Sequence, residues 1–270
     1  MSTRPIPIAV TIAGSDSGGG AGIQADIKTM SANGVYAASV IAALTAQNTL
    51  GVTAIHDVPT EFVTAQIDAV FSDLDVDAVK IGMLSRTETI HSVAGGLVRH
   101  RARNIVLDPV MVSASGDPLL RDDAVDSLVS ELFPIADVIT PNLHEAARIT
   151  GMPLAGTRDA MITQAEALAE MTPGAVLLKG GHGNGAESID LLVNAGRHEW
   201  FGAPRIETDN THGTGCSLSS AIAAQLAHGA NLFEAVGVAK KWLTGAIASA
   251  DLLKVGDGHG PVQRSLRRLR

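Results

Sequence analysis

Residues 6–34, IPIAVTIAGSDSGGGAGIQADIKTMSANG, change their hydrophobic period once. Residues 6–14 form an apolar run, the pattern of a strand buried on both faces. Residues 18–34 instead place Ile23, Ile27 and Met30 at helical spacing. Between the two lies AGSDSGGGAG (13–22), too rich in glycine for either element. A buried strand that passes through a glycine turn into an amphipathic helix is the first half of a β–α unit.

The same alternation continues along the chain. Strands are expected at 36–47 and 51–58, then a helix from Thr60, which is placed to cap it, with Phe62, Ile67, Val70 and Phe71 on one face. A strand at 78–83, a helix at 86–101, a strand at 104–111 and a helix at 121–132 follow. Residues 136–141 read as strand, and 142–151 as a helix closed by Gly151. A helix at 158–171, a strand at 175–181 and a hairpin-like pair, SIDLLVN and RHEWFG, lead to two final helices near 215–228 and 232–251. Repeated β–α units predict an α/β fold with a mostly parallel central sheet and helices on both faces. No linker-like segment or internal repeat interrupts residues 1–270, which predicts a single domain.

Composition narrows the class. Hydrophobic residues make up 46% of the 270 residues but aromatics only 3%, so small aliphatic side chains must fill the core. The net charge of −8 offers no general attraction to nucleic acid or anionic membrane, and neither is expected as a partner. A single cysteine excludes an internal disulfide framework and suits a reducing compartment. No segment reads as a signal peptide or a membrane span, so a cytoplasmic protein is expected. The one basic cluster, RSLRRLR (264–270), reads as a solvated tail.

In a parallel sheet, ligands bind beyond the carboxyl ends of the strands, so chemistry is sought there. The glycines of residues 13–22 can bring backbone N–H groups close to a ligand. They lack the third glycine of a dinucleotide fingerprint, and no G-x-x-x-x-G-K-[ST] loop occurs anywhere in the chain. Asp26, near the apolar face of the first helix, needs a partner: a ligand hydroxyl or amine, or a neighbouring loop. In HGTGCS (212–217), Gly213, Thr214 and Gly215 let the backbone curl at a helix start, building an anion hole for a migrating phosphoryl group. Asp108 and Glu145 stand at strand ends, suited to hydrated Mg²⁺. Lys179 stands where it can neutralise phosphate. Each also has a plain structural reading, as turn former, first-turn helix acid or solvated strand end, but together they point to ATP-dependent phosphoryl transfer.

Several blocks carry a resemblance: TIAGSDSGGGAGIQADIKT (11–29), AQNT (46–49), KIGML (80–84), VLDPVM (106–111), TPNLHEA (140–146), LLKGGH (177–182) and THGTGCS (211–217). Collinear through VGDGHGPV (255–262), they resemble the hydroxymethylpyrimidine/phosphomethylpyrimidine kinases of thiamine biosynthesis, members of the ribokinase-like superfamily. The resemblance implies two ATP-dependent phosphorylations at one site, first of 4-amino-5-hydroxymethyl-2-methylpyrimidine and then of its monophosphate. It implies pyrimidine binding by Asp26 and Gln47 in a pocket lined by Gly14, Met83 and Val110. ATP is expected at Asn142, Lys179 and Lys240, with Mg²⁺ at Asp108 and Glu145. The relatives are often homodimers. Pyridoxal kinases of the same superfamily are the alternative, and Gln47 and Lys179 favour the pyrimidine enzymes. Gly18 departs from the serine common in the relatives.

Many ribokinase-like sugar kinases carry a general-base aspartate where this chain has Cys216. A helix N-terminus should lower the thiol's pKa and make thiolate available. The alternative is a small packing residue, with catalysis carried by positioning and Mg²⁺. His212, before the glycine turn, is expected to stand behind the site.

Overall fold

The computed structural model describes residues 6–112, 116, 119–121, 123–181 and 185–265. His182 of the LLKGGH block and the last residues of the basic cluster, 266–270, lie outside the described residues. The strands are β1 (Ile8–Asp16), β2 (Tyr36–Asn48), β3 (Gly51–Asp57), β4 (Ala78–Ile81), β5 (Ile105–Leu107), β6 (Val138–Ile139), β7 (Ala175–Lys179), β8 (Glu187–Asn194) and β9 (Arg197–Pro204). They form one sheet in the order β3-β2-β1-β4-β5-β6-β7-β8-β9. Pairing is parallel from β2 through β7 and antiparallel at both ends, where β3, β8 and β9 join as hairpin arms.

The helices are α1 (Gly22–Ala32), α2 (Thr60–Asp73), α3 (Thr87–Arg99), α4 (Ala124–Ser127), α5 (Leu143–Thr150), α6 (Arg158–Ala169), α7 (Thr214–Ala227) and α8 (Leu232–Ala248). Strand alternation divides the core between two faces. Val10, Ile12, Val79, Ile81, Ile105 and Leu107 point to one side, against α2, α3, α5 and α6. Ala9, Ala78, Val106 and Ala175 point to the other, against α1, α7 and α8. Small side chains on that second face let α7, itself rich in alanine, lie close to the sheet.

Two local expectations need correction. Thr60 does not cap α2; Pro59 takes the cap position without a side-chain hydrogen bond, and Thr60 is already helical. The helix expected at 121–132 is shorter: α4 widens into a π turn at Leu128–Leu132, followed by a 3-10 turn containing Pro134.

The chain order reverses beside β1, whose neighbours are β2 and β4. Such a reversal splays the connections apart and opens a crevice at the carboxyl ends of the strands. At its base Gly14 N–H donates to the Met83 carbonyl at 3.1 Å. A side chain at Gly14 would put Cβ 2.8 Å from the Met83 sulfur, so glycine permits this close approach.

Candidate active site

A cavity of about 760 Å³ occupies the crevice. Every residue expected at the site lines it except Asp26. One wall is the start of α7. Gly213 adopts a left-handed conformation (φ 75°), and the first intrahelical bond runs from Ser217 N–H to its carbonyl at 2.9 Å. The N–H groups of Gly215 and Cys216 precede that bond and have no acceptor within the helix. Their partial positive charge adds to the helix dipole at the cavity wall.

Beneath Gly215 lies an ion pair. A side chain there would place Cβ 3.4 Å from Lys179 Nζ and 3.5 Å from Asp108 Oδ2. Lys179 donates to Asp108 Oδ1 at 2.7 Å, and Thr140 and Ser219 donate to the same carboxylate at 3.1 and 3.3 Å. Burial opposes charge on Asp108, but Lys179 and Lys80 outweigh it and hold the carboxyl below its usual range. Glu145 reaches the same region from the first turn of α5. Asn142 caps that helix, and the two residues exchange side-chain-to-backbone bonds of 2.7 and 2.9 Å. Burial pushes the Glu145 carboxyl up to about 7; Lys179 opposes that shift and Asp108 adds to it. Asn142 and Glu145 thus shape the helix start as well as line the cavity.

The glycine turn at 17–21 does not offer its amides to a ligand. Asp16 takes them: Gly18, Gly20 and Ala21 N–H donate to its carboxylate at 2.7–2.9 Å. Those bonds and the His212 contact overcome the burial penalty and hold Asp16 below the usual carboxylate range. His212, expected behind the site, instead lines it. Its Nε2 lies 3.2 Å from Asp16 Oδ2 and 3.4 Å from Gln47 Nε2. Gly20 is required here, since a Cβ would sit 2.3 Å from the His212 ring. Gln47 also accepts from Thr45 Oγ1 at 3.0 Å, which holds its amide oxygen. Gly18, the departure from the relatives' serine, packs against Asp16 and the backbone of Gln47 and Asn48.

Asp26 is the site expectation that the structure corrects. It is fully buried, and both its oxygens are engaged: Lys80 and Thr11 donate to Oδ2 at 2.9 and 2.6 Å, and Ser220 to Oδ1 at 2.7 Å. It does not line the cavity, and the partner its burial demands is Lys80. Lys80 had a signal in the sequence, a charge inside the apolar run AVKIGM. Despite burial, Asp26 holds its ammonium above the usual lysine range.

The expectation of a lowered Cys216 pKa is also corrected. The half-buried residue lines the cavity. Burial pushes the thiol up, Asp26 and Asp108 add to the shift, and Lys80 and the Gly22 N–H do not overcome it. Desolvation is the largest contribution to that shift.

Lys240, also in the cavity lining, donates to Asp190 at 2.7 Å and to Ser188 at 3.0 Å. Met83 and Val110 add apolar surface to the lining. The solvated-tail reading of the basic cluster fails at its first residue. Arg264 is buried and bonded to both glycine turns, because residues 260–262 run alongside His212, with His212 N–H donating to the Gly260 carbonyl at 3.0 Å.

The chain matches the phosphomethylpyrimidine kinase family over residues 16–263. The chain belongs to this family. Among similar curated proteins, the hydroxymethylpyrimidine/phosphomethylpyrimidine kinase of Rhizobium meliloti is 60% identical over 255 residues, covering 94% of this chain and 96% of the relative. The Salmonella typhimurium kinase of the same description is 51% identical, with 94% and 96% covered. Among solved structures, Bacillus subtilis pyridoxal kinase in complex with ADP is 33% identical, with a TM-score of 0.90 and coverage of 98% of this chain and 100% of that one. The Clostridium difficile phosphomethylpyrimidine kinase is 44% identical at a TM-score of 0.79, with 89% and 99% covered. The fold is therefore ribokinase-like and the protein a phosphotransferase. Among the described residues no helix is long and apolar enough to cross a membrane.

Proposed function

We propose that the cavity transfers the γ-phosphoryl group of ATP to the hydroxymethyl oxygen of 4-amino-5-hydroxymethyl-2-methylpyrimidine, and then a second phosphoryl group to the resulting monophosphate. The carrying observation is the first turn of α7, where the Gly215 and Cys216 N–H groups have no intrahelical acceptor, set over the Lys179–Asp108 pair in the same cavity as Gln47. Gln47 offers an amide donor and acceptor to an aminopyrimidine edge, and Gly14, Met83 and Val110 give its ring an apolar slot. The acceptor oxygen forms a bond to γ-phosphorus as the bond to the β,γ-bridging oxygen breaks; ADP leaves, and the hydroxyl proton passes to a transferred phosphoryl oxygen and from there to water. Charge growing on the transferred group meets the α7 N–H groups and Lys179.

Among the described residues no cluster of three His, Cys, Asp or Glu side chains is arranged to hold a metal ion. A buried carboxyl pushed up to about 7 beside a second carboxylate is a donor set that a divalent cation would return to its charged form. Asp108 and Glu145 therefore fit Mg²⁺ that arrives with ATP and keeps water and phosphate oxygens as its other ligands. When bound, it supplies neutralisation of the phosphates. Lys240, held by Asp190, faces the nucleotide end of the cavity. Cys216 lines the acceptor end as a neutral thiol, which takes no proton, and the loose transition state asks little of a base.

An ADP-release assay tests this reading with the pyrimidine, its monophosphate and pyridoxal offered separately. Turnover of the first two is expected. No turnover of either with Mg-ATP overturns the reading. The likeness to pyridoxal kinases supports the alternative, and turnover of pyridoxal alone would establish it.

A further inference from the structure

Arg264 carries a charge that the reaction as described does not use. It is 3% exposed, and it makes no ion pair among the described residues. Its Nη2 donates to the carbonyls of Gly20 at 2.7 Å, Gly213 at 3.2 Å and His212 at 3.4 Å, and its Nε to Ser217 Oγ at 2.8 Å. Ser217 Oγ in turn donates to the Gly213 carbonyl at 2.7 Å. One guanidinium thus holds the carbonyl of the left-handed glycine, the hydroxyl that bonds the same carbonyl, and the facing glycine turn. The fit leaves no slack: a Cβ at Gly213 would lie 2.0 Å from the Gly20 carbonyl oxygen and 2.3 Å from Arg264 Nη2.

Burying a guanidinium without a carboxylate is unfavourable unless its hydrogen bonds and its field are used. Here every recorded acceptor belongs to the two turns or to the first turn of α7. Its strand-like approach, along residues 260–262 beside His212, fixes its direction of entry.

We propose that Arg264 is a positioning residue for phosphoryl transfer: it locks the Gly213 turn so that the Gly215 and Cys216 N–H groups stay aimed at the transferred group. It also places a fixed positive charge behind them. It touches neither substrate in this arrangement, so its effect belongs to the transition state more than to binding. The inference rests on the anion-hole reading of α7.

The test compares wild type, Arg264→Lys and Arg264→Ala. Lysine keeps the charge but cannot span four acceptors. The expected result is a loss of about 10–100-fold in kcat for both variants, the scale of a displaced oxyanion donor or less, with KM for pyrimidine and ATP within about threefold. Affinity for ADP alone should stay within twofold, while the extra affinity gained with aluminium fluoride falls at least tenfold. Guanidinium ion at millimolar concentration should restore part of the turnover of Arg264→Ala and none of Arg264→Lys. Amide hydrogen exchange should quicken at residues 211–216 in both variants. Unchanged kcat in a folded Arg264→Lys enzyme overturns the proposal. So does an equal loss of affinity for ADP and for its aluminium fluoride complex, which marks a general structural role. Failure of the wild type to turn over any pyrimidine is a different outcome, read before any variant is made; aluminium fluoride binding and exchange still test Arg264 in that case.

Discussion

The carboxylate of Asp16 and the imidazole of His212, 196 residues apart, meet at 3.2 Å and join the two glycine turns of the site. Removing the carboxylate orphans the Gly18, Gly20 and Ala21 N–H groups as well. Only the Gly20 donor is fully buried, so at roughly 1–3 kcal/mol for an unsatisfied buried donor Asp16→Ala should lose about 2 kcal/mol in urea unfolding, and Asp16→Asn less. The folded carboxyl titrates below its unfolded value near 4, so its contribution is complete above that pH and fades as pH falls further. The deficit of Asp16→Asn should therefore narrow from pH 7 to pH 3. A deficit that widens toward acid would mean the carboxylate is not stabilised in place.

Gln47 accepts from Thr45, lies beside His212 and lines the cavity. Gln47→Ala should raise KM for the pyrimidine at least about tenfold, the value of one or two lost hydrogen bonds, and leave KM for ATP within twofold. An equal rise in both would remove Gln47 from the acceptor's contacts. Steady-state kinetics with each substrate varied in turn decides the matter.

Cys216 should behave as a thiol of raised pKa, because desolvation disfavours its thiolate. Without substrate at pH 7, iodoacetamide should alkylate it more slowly than it alkylates free glutathione, and the rate should still be rising above pH 9. Alkylation faster than glutathione at pH 7 would show a preformed thiolate and revive the base role.

Glu145 gives the opposite pH signature from Asp16. With its folded pKa near 7 and an unfolded value near 4.5, the native state holds the extra proton between them. Stability therefore falls as pH rises across that interval, and the cost persists above it. Glu145→Gln cannot ionise and keeps an oxygen for the Asn142 N–H. In thermal scans without Mg²⁺ or nucleotide, its Tm should gain on wild type from pH 5 to pH 8. A constant difference would show that the carboxyl titrates normally.

The succession of strands and helices and the glycine turn at 211–215 are legible because each writes a local period or a local backbone demand into the sequence. Gly213 is such a case: only a residue tolerant of positive φ suits that position. What misled was local inference about groups whose partners are remote. The glycine turn at 17–21 looked ready for a ligand, yet the anion it holds is its own neighbour, Asp16. The helix terminus argued for a thiolate at Cys216, and burial reversed it. Asp26 needs a partner, but spacing alone does not choose between a substrate and Lys80, 54 positions away. Arg264 opens the basic cluster, and nothing in the local spacing marks it as buried.

The Lys80–Asp26 pair has a consequence for how this sequence can change. Neither side chain meets solvent, so a neutral replacement of one strands the other's charge where no water can reach it. Single steps away from this arrangement lead downhill in stability, while a matched double exchange for two apolar residues need not. Over evolutionary time the two positions are tied: they drift together or stay put, and a lineage that lost one would be expected to have lost the other.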